Sequence, residues 1–191
     1  AELTTRLQRV HALGTVAELL GWDEQVNLPP GGAEQRGAQQ AALAEAMQVA
    51  ASDWRIGELL AGLEAHADPL TADQRVVVAH GRKDYDRATK LPVEFVREKA
   101  AQGSRGYHAW VRAKAADDFA GYAPVLEKNL ALAKREAGYL GWGGREYDYM
   151  LDKHDPGLTA AVVERLFDAL KRDLVPLVRE ITGSATAARA R

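Results

Sequence analysis

Apolar residues return at three- and four-residue steps along most of this chain, a spacing that calls for helices rather than a sheet. Leu3, Leu7, Val10, Leu13, Ala17 and Leu20 make one such stripe at the start. Leu28-Pro29-Pro30-Gly31-Gly32 then breaks it, because two prolines and two glycines cannot continue a helix. A helix rich in Ala and Gln is expected over 33–51 and a shorter one over 54–66. Thr71-Ala72-Asp73-Gln74 has the pattern of a capping box and predicts a helix start that runs on to Lys90. Pro92 suits the first position of the next helix, which is expected to reach Asp117. Another should start near Tyr122 or Pro124 and stop at Gly141-Trp142-Gly143-Gly144.

After a connector, Thr159 can cap a final helix. Its Val163, Leu166, Phe167, Leu170, Leu174, Leu177, Val178 and Ile181 share an apolar face. The β-branched run Val76-Val77-Val78 lies between helical flanks and reads as buried helix. No segment alternates with the period of a strand. The spacing therefore predicts an all-α fold of antiparallel helices joined by short turns, without internal repeats. At 191 residues the chain can bury one continuous core, expected over 1–182. Residues 183–191 are small residues and arginines, expected to be a disordered or artificial end.

Composition removes several functional classes. A net charge of -2 with acids and bases interspersed leaves no basic face for nucleic acid, apart from Arg189 and Arg191 at the end. With no cysteine, disulfides, thiolate catalysis and cysteine-bound zinc are excluded. The opening residues carry no apolar signal core, and no apolar run approaches the roughly 20 residues that cross a bilayer. A soluble, cytoplasmic protein is expected, with no membrane partner. A start at Ala1 rather than Met points to trimming by processing or cloning.

Candidate chemistry is sparse. A helical zinc site needs two imidazoles one turn apart, yet no two of His11, His66, His80, His108 and His154 are three or four residues apart, and HExxH is absent. His80 and Asp84 would share a helix face, an arrangement commoner at a surface than at a metal. His11 and His108 fit helix interfaces, and His154 fits a solvated turn. Asp23-Glu24 follows Trp22, and an acid beside an indole can be desolvated, although acids at helix ends more often cap or face water. Asp84 and Asp86 lie among Arg82, Lys83, Arg87 and Lys90 and read as exposed ion pairs. None of Ser52, Ser104 and Ser184 lies in a G-x-S-x-G elbow, and the glycines at 141–144 lack the ending of a phosphate loop. Trp22, Tyr107, Trp110, Tyr122, Tyr139, Trp142, Tyr147 and Tyr149 could line a groove, with core packing the default for at least half. The residues alone yield no catalytic and no metal-binding set.

Several stretches nevertheless form a recognisable order. Leu19-Leu20-Gly21-Trp22-Asp23-Glu24-Gln25, followed by Leu28-Pro29-Pro30-Gly31-Gly32-Ala33-Glu34, makes an opening helix and turn. Tyr85-Asp86-Arg87-Ala88-Thr89-Lys90-Leu91-Pro92 makes a helix junction. Trp110, Asp118-Phe119 and Pro124-Val125-Leu126-Glu127-Lys128 continue the pattern. Tyr147-Asp148-Tyr149-Met150-Leu151-Asp152, running into Asp155-Pro156-Gly157-Leu158-Thr159, is the most characteristic piece. Together, from about residue 3 to 181, they resemble the amino-terminal part of the carboxypeptidase Taq family of zinc metallocarboxypeptidases.

The resemblance implies a larger, groove-shaped helical enzyme, commonly a homodimer, that releases carboxy-terminal residues from peptides. It also implies zinc, or sometimes cobalt, held by HExxH histidines and a downstream glutamate, with the motif's own glutamate as general base. No such ligand can be carried onto this sequence, so no cofactor is assigned to it. The stretches present correspond to a wall and lid, with Trp22, Asp23, Arg87, Tyr147 and Asp148 as groove or lid residues, against capping and core packing. A fragment or truncated form, inactive alone, is the expectation. A stand-alone helical binding or regulatory module with a large exposed apolar face is the alternative. An independent hydrolase around His80 and Asp84 ranks last.

Overall fold

The computed structural model describes residues 1–184, apart from the side chain of Pro30. Among them are α1 (Glu2–Val26), α2 (Ala33–Ala51), α3 (Trp54–Ala65), α4 (Ala72–Lys90), α5 (Val93–Ala115), α6 (Phe119–Tyr139), α7 (Glu146–His154) and α8 (Ala160–Gly183). A single 3-10 turn, Pro30–Gly32, joins α1 to α2, and no strand occurs among the described residues. The all-α expectation holds. The chain divides into two compact units, Ala1–Leu140 and Gly141–Arg191. Residues 185–191, most of the expected tail and with it Arg189 and Arg191, lie outside the described residues.

In the first unit α2 packs most extensively against α5 and also meets α1 and α4, while α5 continues to α6 and α3 to α4. The apolar core gathers Leu3 of α1, Ile56 and Leu60 of α3, and Val78 of α4, with Leu7, Leu59, Leu63, Leu70 and Tyr85 around them. Helix α3 lies so near α4 that a Cβ on Gly57 would sit 2.7 Å from the Tyr85 ring, so this position needs glycine for space. A second cluster brings Phe95 edge-on to Tyr139, with ring centroids 5.1 Å apart.

Polar side chains close the helix ends. Thr71 and Gln74 form the expected capping box. Asp53 caps α3 and Asp118 caps α6, each accepting from a backbone N–H of the first turn. The buried Gln48 of α2 donates to the carbonyls of Ala88 and Leu91 at 2.6 and 2.7 Å. It thereby gives the Leu91 carbonyl a donor and adds a second to that of Ala88, which already accepts the Leu91 N–H.

Several boundaries differ from the periodicity. Pro92 is the N-cap of α5 rather than its first helical residue, with extended backbone at ψ 143. Helix α5 stops at Ala115 because Asp117 turns left-handed, at φ 53. Helix α6 begins at Phe119, earlier than Tyr122 or Pro124, since Asp118 supplies the cap and Pro124 is accommodated inside the helix. The connector after Gly144 contains α7, so His154 ends a helix instead of lying in a turn, though it is exposed as expected. Of Val76-Val77-Val78 only Val78 is buried, because one helix face cannot turn three successive side chains inward.

The second unit has a different character. The cap at Thr159 is present, but no residue of α8 is buried. Leu166, Leu174 and Ile181 are each more than half exposed, and Phe167, Leu170, Leu177 and Val178 are also exposed. The apolar face read from the sequence therefore exists and is bare.

Two outcomes are expected. Leu60→Ala should cost about 2–5 kcal/mol through the cavity it leaves, read in denaturant melts, because Leu60 is fully enclosed. A loss within error of zero would show that this core is not cooperative. The second concerns acid. The Arg55 hydrogen bonds, helped by Arg6, lower the Glu2 carboxyl from 4.5 to about 2. A depressed acid stabilises the fold above its unfolded value, and that contribution fades as pH falls from 4.5 towards 2. These pairs are exposed, so the effect is modest and screened by salt. Glu2→Gln should flatten the dependence of Tm on pH between those values, and an unchanged slope would refute the assignment.

Candidate functional site

Near the end of α1, three helices converge on one carboxylate. Glu24 is buried and accepts from Gln40 Nε2 of α2 at 2.7 Å, from His108 Nε2 of α5 at 3.0 Å, and from Ser104 Oγ of α5. With Glu24 ionised, His108 carries its hydrogen on Nε2. Ser104 and His108 are one turn apart on α5, so both reach this carboxylate, while Arg36, one turn from Gln40 on α2, goes to the neighbouring Asp23. The serine donates to the glutamate and not to the histidine, so this is no nucleophilic triad. What the arrangement does is hold α1, α2 and α5 in register through a carboxylate whose bonding capacity is used.

Beside it, the buried Arg36 donates to Asp23 Oδ2, to the Leu20 carbonyl at 2.5 Å and to Gln39 Oε1 at 3.1 Å. The Arg36 hydrogen bond, followed by that of Asn27, lowers the Asp23 carboxyl below its ordinary range. Of the two acids read beside Trp22, the enclosed one is Glu24, contrary to the expectation of capping or solvation. Trp22 itself points away and is 56% exposed. The residues the periodicity missed are Arg36, Gln40 and Ser104. Their signal was polar pairs at a spacing of four on faces otherwise made of small residues. His108 packs at a helix interface as expected, whereas His11 is exposed.

Arg87 reaches the buried Glu136 of α6 at 3.5 Å, and Lys99 of α5 holds the other oxygen. Arg82 pairs with Glu64 at 2.9 Å across helices as well as with Asp86 along its own. In the second unit Asp148 accepts from the Ala160 N–H at 2.8 Å and so caps the start of α8, while Tyr147 is 67% exposed. Of the five groove or lid residues, Asp23, Arg87 and Asp148 are tied into the scaffold, and Trp22 and Tyr147 present rings outward.

His80 and Asp84 do share a face, and with His11 they line a cleft over Leu7, Val10 and Ile56. No group of three or more His, Asp or Glu side chains is placed to hold a metal ion among the described residues. The donors present among the described residues do not fit a zinc site.

The sequence profile of the carboxypeptidase Taq (M32) metallopeptidases matches residues 2–191. The chain belongs to the M32 carboxypeptidase Taq family. Thermostable carboxypeptidase 1 of Pyrococcus furiosus is 33% identical over 183 residues, covering 94% of this chain and 36% of that protein. Carboxypeptidase 1 of Bacillus subtilis is 31% identical over 179 residues, covering 93% and 36%. Among solved structures, BsuCP superposes with a TM-score of 0.90 at 30% identity, covering 96% of this chain and 37% of that one. The M32 carboxypeptidase of Deinococcus radiodurans superposes at 0.71 with 38% identity, covering 92% and 35%. The chain thus spans little more than a third of the length of its M32 relatives, along their amino-terminal portion.

The Glu24 cluster makes a testable statement about this M32 scaffold. Glu24→Leu takes the acceptor from three donors, the buried Ser104 and the half-buried Gln40 and His108, and should cost about 1–3 kcal/mol, whereas Ser104→Ala, which removes one donor, should cost about half as much. Thermal melts of the two variants check this. Equal Tm values for both variants and the parent would show that the cluster holds nothing.

Proposed function

We propose that these helices form the amino-terminal wall and lid of a metal-dependent carboxypeptidase that releases carboxy-terminal residues from peptides. Zinc, or cobalt, would be held by sequence other than the 191 residues given. The observation that carries this is the family match over nearly the whole chain, joined to a sequence without HExxH. Trp22 and Tyr147, with their rings in solvent, are the two groove candidates free to touch a peptide. Asp23, Arg87 and Asp148 act through the scaffold they brace. The enzyme is expected in the cytoplasm and as a homodimer. No helix among the described residues is long and apolar enough to cross a membrane.

The bare face of α8 favours a second reading, a stand-alone module that docks on a partner through that helix. On the first reading the same face is covered by more of the enzyme. The purified 191-residue chain, supplied with zinc or cobalt, should release no carboxy-terminal residue from a blocked dipeptide. Chelator-sensitive release would overturn the assignment of the metal site elsewhere. The mass of the native protein, detected in cell extracts with an antibody against these helices, separates the readings. A much longer species fits the peptidase, and one of this length fits the module.

A further inference from the structure

Between α2, α5 and α6 lies an open cleft of about 780 Å³, lined by His108 but by none of the five groove or lid candidates. Its floor is made of small residues, Gly37 and Ala101 among them, so the backbones of α2 and α5 approach closely and leave room above. Its rim is cationic. Arg105 and Arg112 stand two turns apart on one face of α5, and Lys128 faces them from α6. None of the three has an acid within ion-pair distance among the described residues, while Arg6, Arg36, Arg55, Arg82, Arg97 and Arg135 of the same unit are all paired. One carboxylate, Glu34, lines the cleft against these three cations. The first turn of α2 also borders it, and Glu34 belongs to that turn.

Spacing narrows the ligand. Seven residues of helix separate the two arginines by about 10.5 Å along the axis. A peptide in the extended polyproline II conformation advances about 3.1 Å per residue with three residues per turn, so carboxylates on its first and fourth residues share a face about 9 Å apart. The match is close, the cleft is of a size that takes a few residues, and arginine forks suit carboxylates. We propose that this cleft binds an extended acidic peptide segment, with Arg105 and Arg112 each taking one carboxylate and Lys128 steering from the far rim. The site needs no free carboxyl terminus and no metal, so it stands or falls separately from the carboxypeptidase reading.

The test is calorimetric titration of the chain, at low ionic strength, with a tetrapeptide blocked at both ends and carrying glutamate at positions one and four. Binding is expected, weakening as salt rises, and at least about fivefold weaker for the counterpart with glutamine at both positions. R105Q/R112Q should lower affinity for the acidic peptide by about five- to tenfold. Both residues are exposed, so circular dichroism and Tm should not change. Equal binding of the two peptides would overturn the proposal, as would an undiminished affinity in R105Q/R112Q. Inorganic phosphate that binds as tightly as the acidic peptide would overturn it too, by showing a site for single small anions. Blocking both ends keeps a failure here from bearing on carboxypeptidase activity.

Discussion

The close approach of α2 to α5 is the constraint on which the first unit depends. At Gly37 an added Cβ would stand 3.8 Å from the Cβ and Oγ of Ser104, in ordinary van der Waals contact, so there is room for a methyl and little more. That proximity lets Ser104 and His108 on α5 and Gln40 on α2 reach the same carboxylate of α1. It also leaves the small-residue floor of the neighbouring cleft. A residue larger than alanine at 37 would have to push α5 away, and the bonds from α5 to Glu24 would lengthen together. Small side chains here do what large apolar ones do elsewhere, by admitting short polar bonds instead of burying area.

Apolar burial is unevenly shared. It concentrates where α3 and α4 meet the start of α1, around Ile56 and Leu60, and again at Phe95. The middle of the unit is held by polar groups, Arg36, Gln48, Gln102, Glu24 and Glu136, each buried and each bonded. Burying such groups is tolerable only when their partners are in place, so these positions specify one arrangement of helices more sharply than an apolar core would. Helix α8 has neither kind of support in its apolar stripe. A stripe of that length is stable in water only against other protein, which is why both readings of function give it a partner.

The membership of the M32 family and the local geometry answer different questions. The family match says which kind of enzyme contains helices like these. The geometry says what these helices can do by themselves: brace, cap and present rings and cations, without a set of donors for a metal among the described residues. The proposed wall role rests on fold resemblance, while chemistry at a reacting bond has to be argued from the groups of a site.

The sequence by itself determined the helices, since a period near 3.6 and the breaks at Leu28–Gly32, Leu91-Pro92 and Gly141–Gly144 are local properties of the chain. It also determined the caps at Thr71 and Thr159, because a cap is a bond between near neighbours. The resemblance, too, was legible, being a matter of order and spacing. The enclosure of Glu24 was not, because its donors come from residues 40, 104 and 108 and only the pairing of helices brings them together. Nor was the pairing of Arg87 with Glu136. Periodicity shows which face of a helix is apolar but not what that face meets. Tertiary structure alone decided that the stripe of α1 turns inward and the stripe of α8 stays bare.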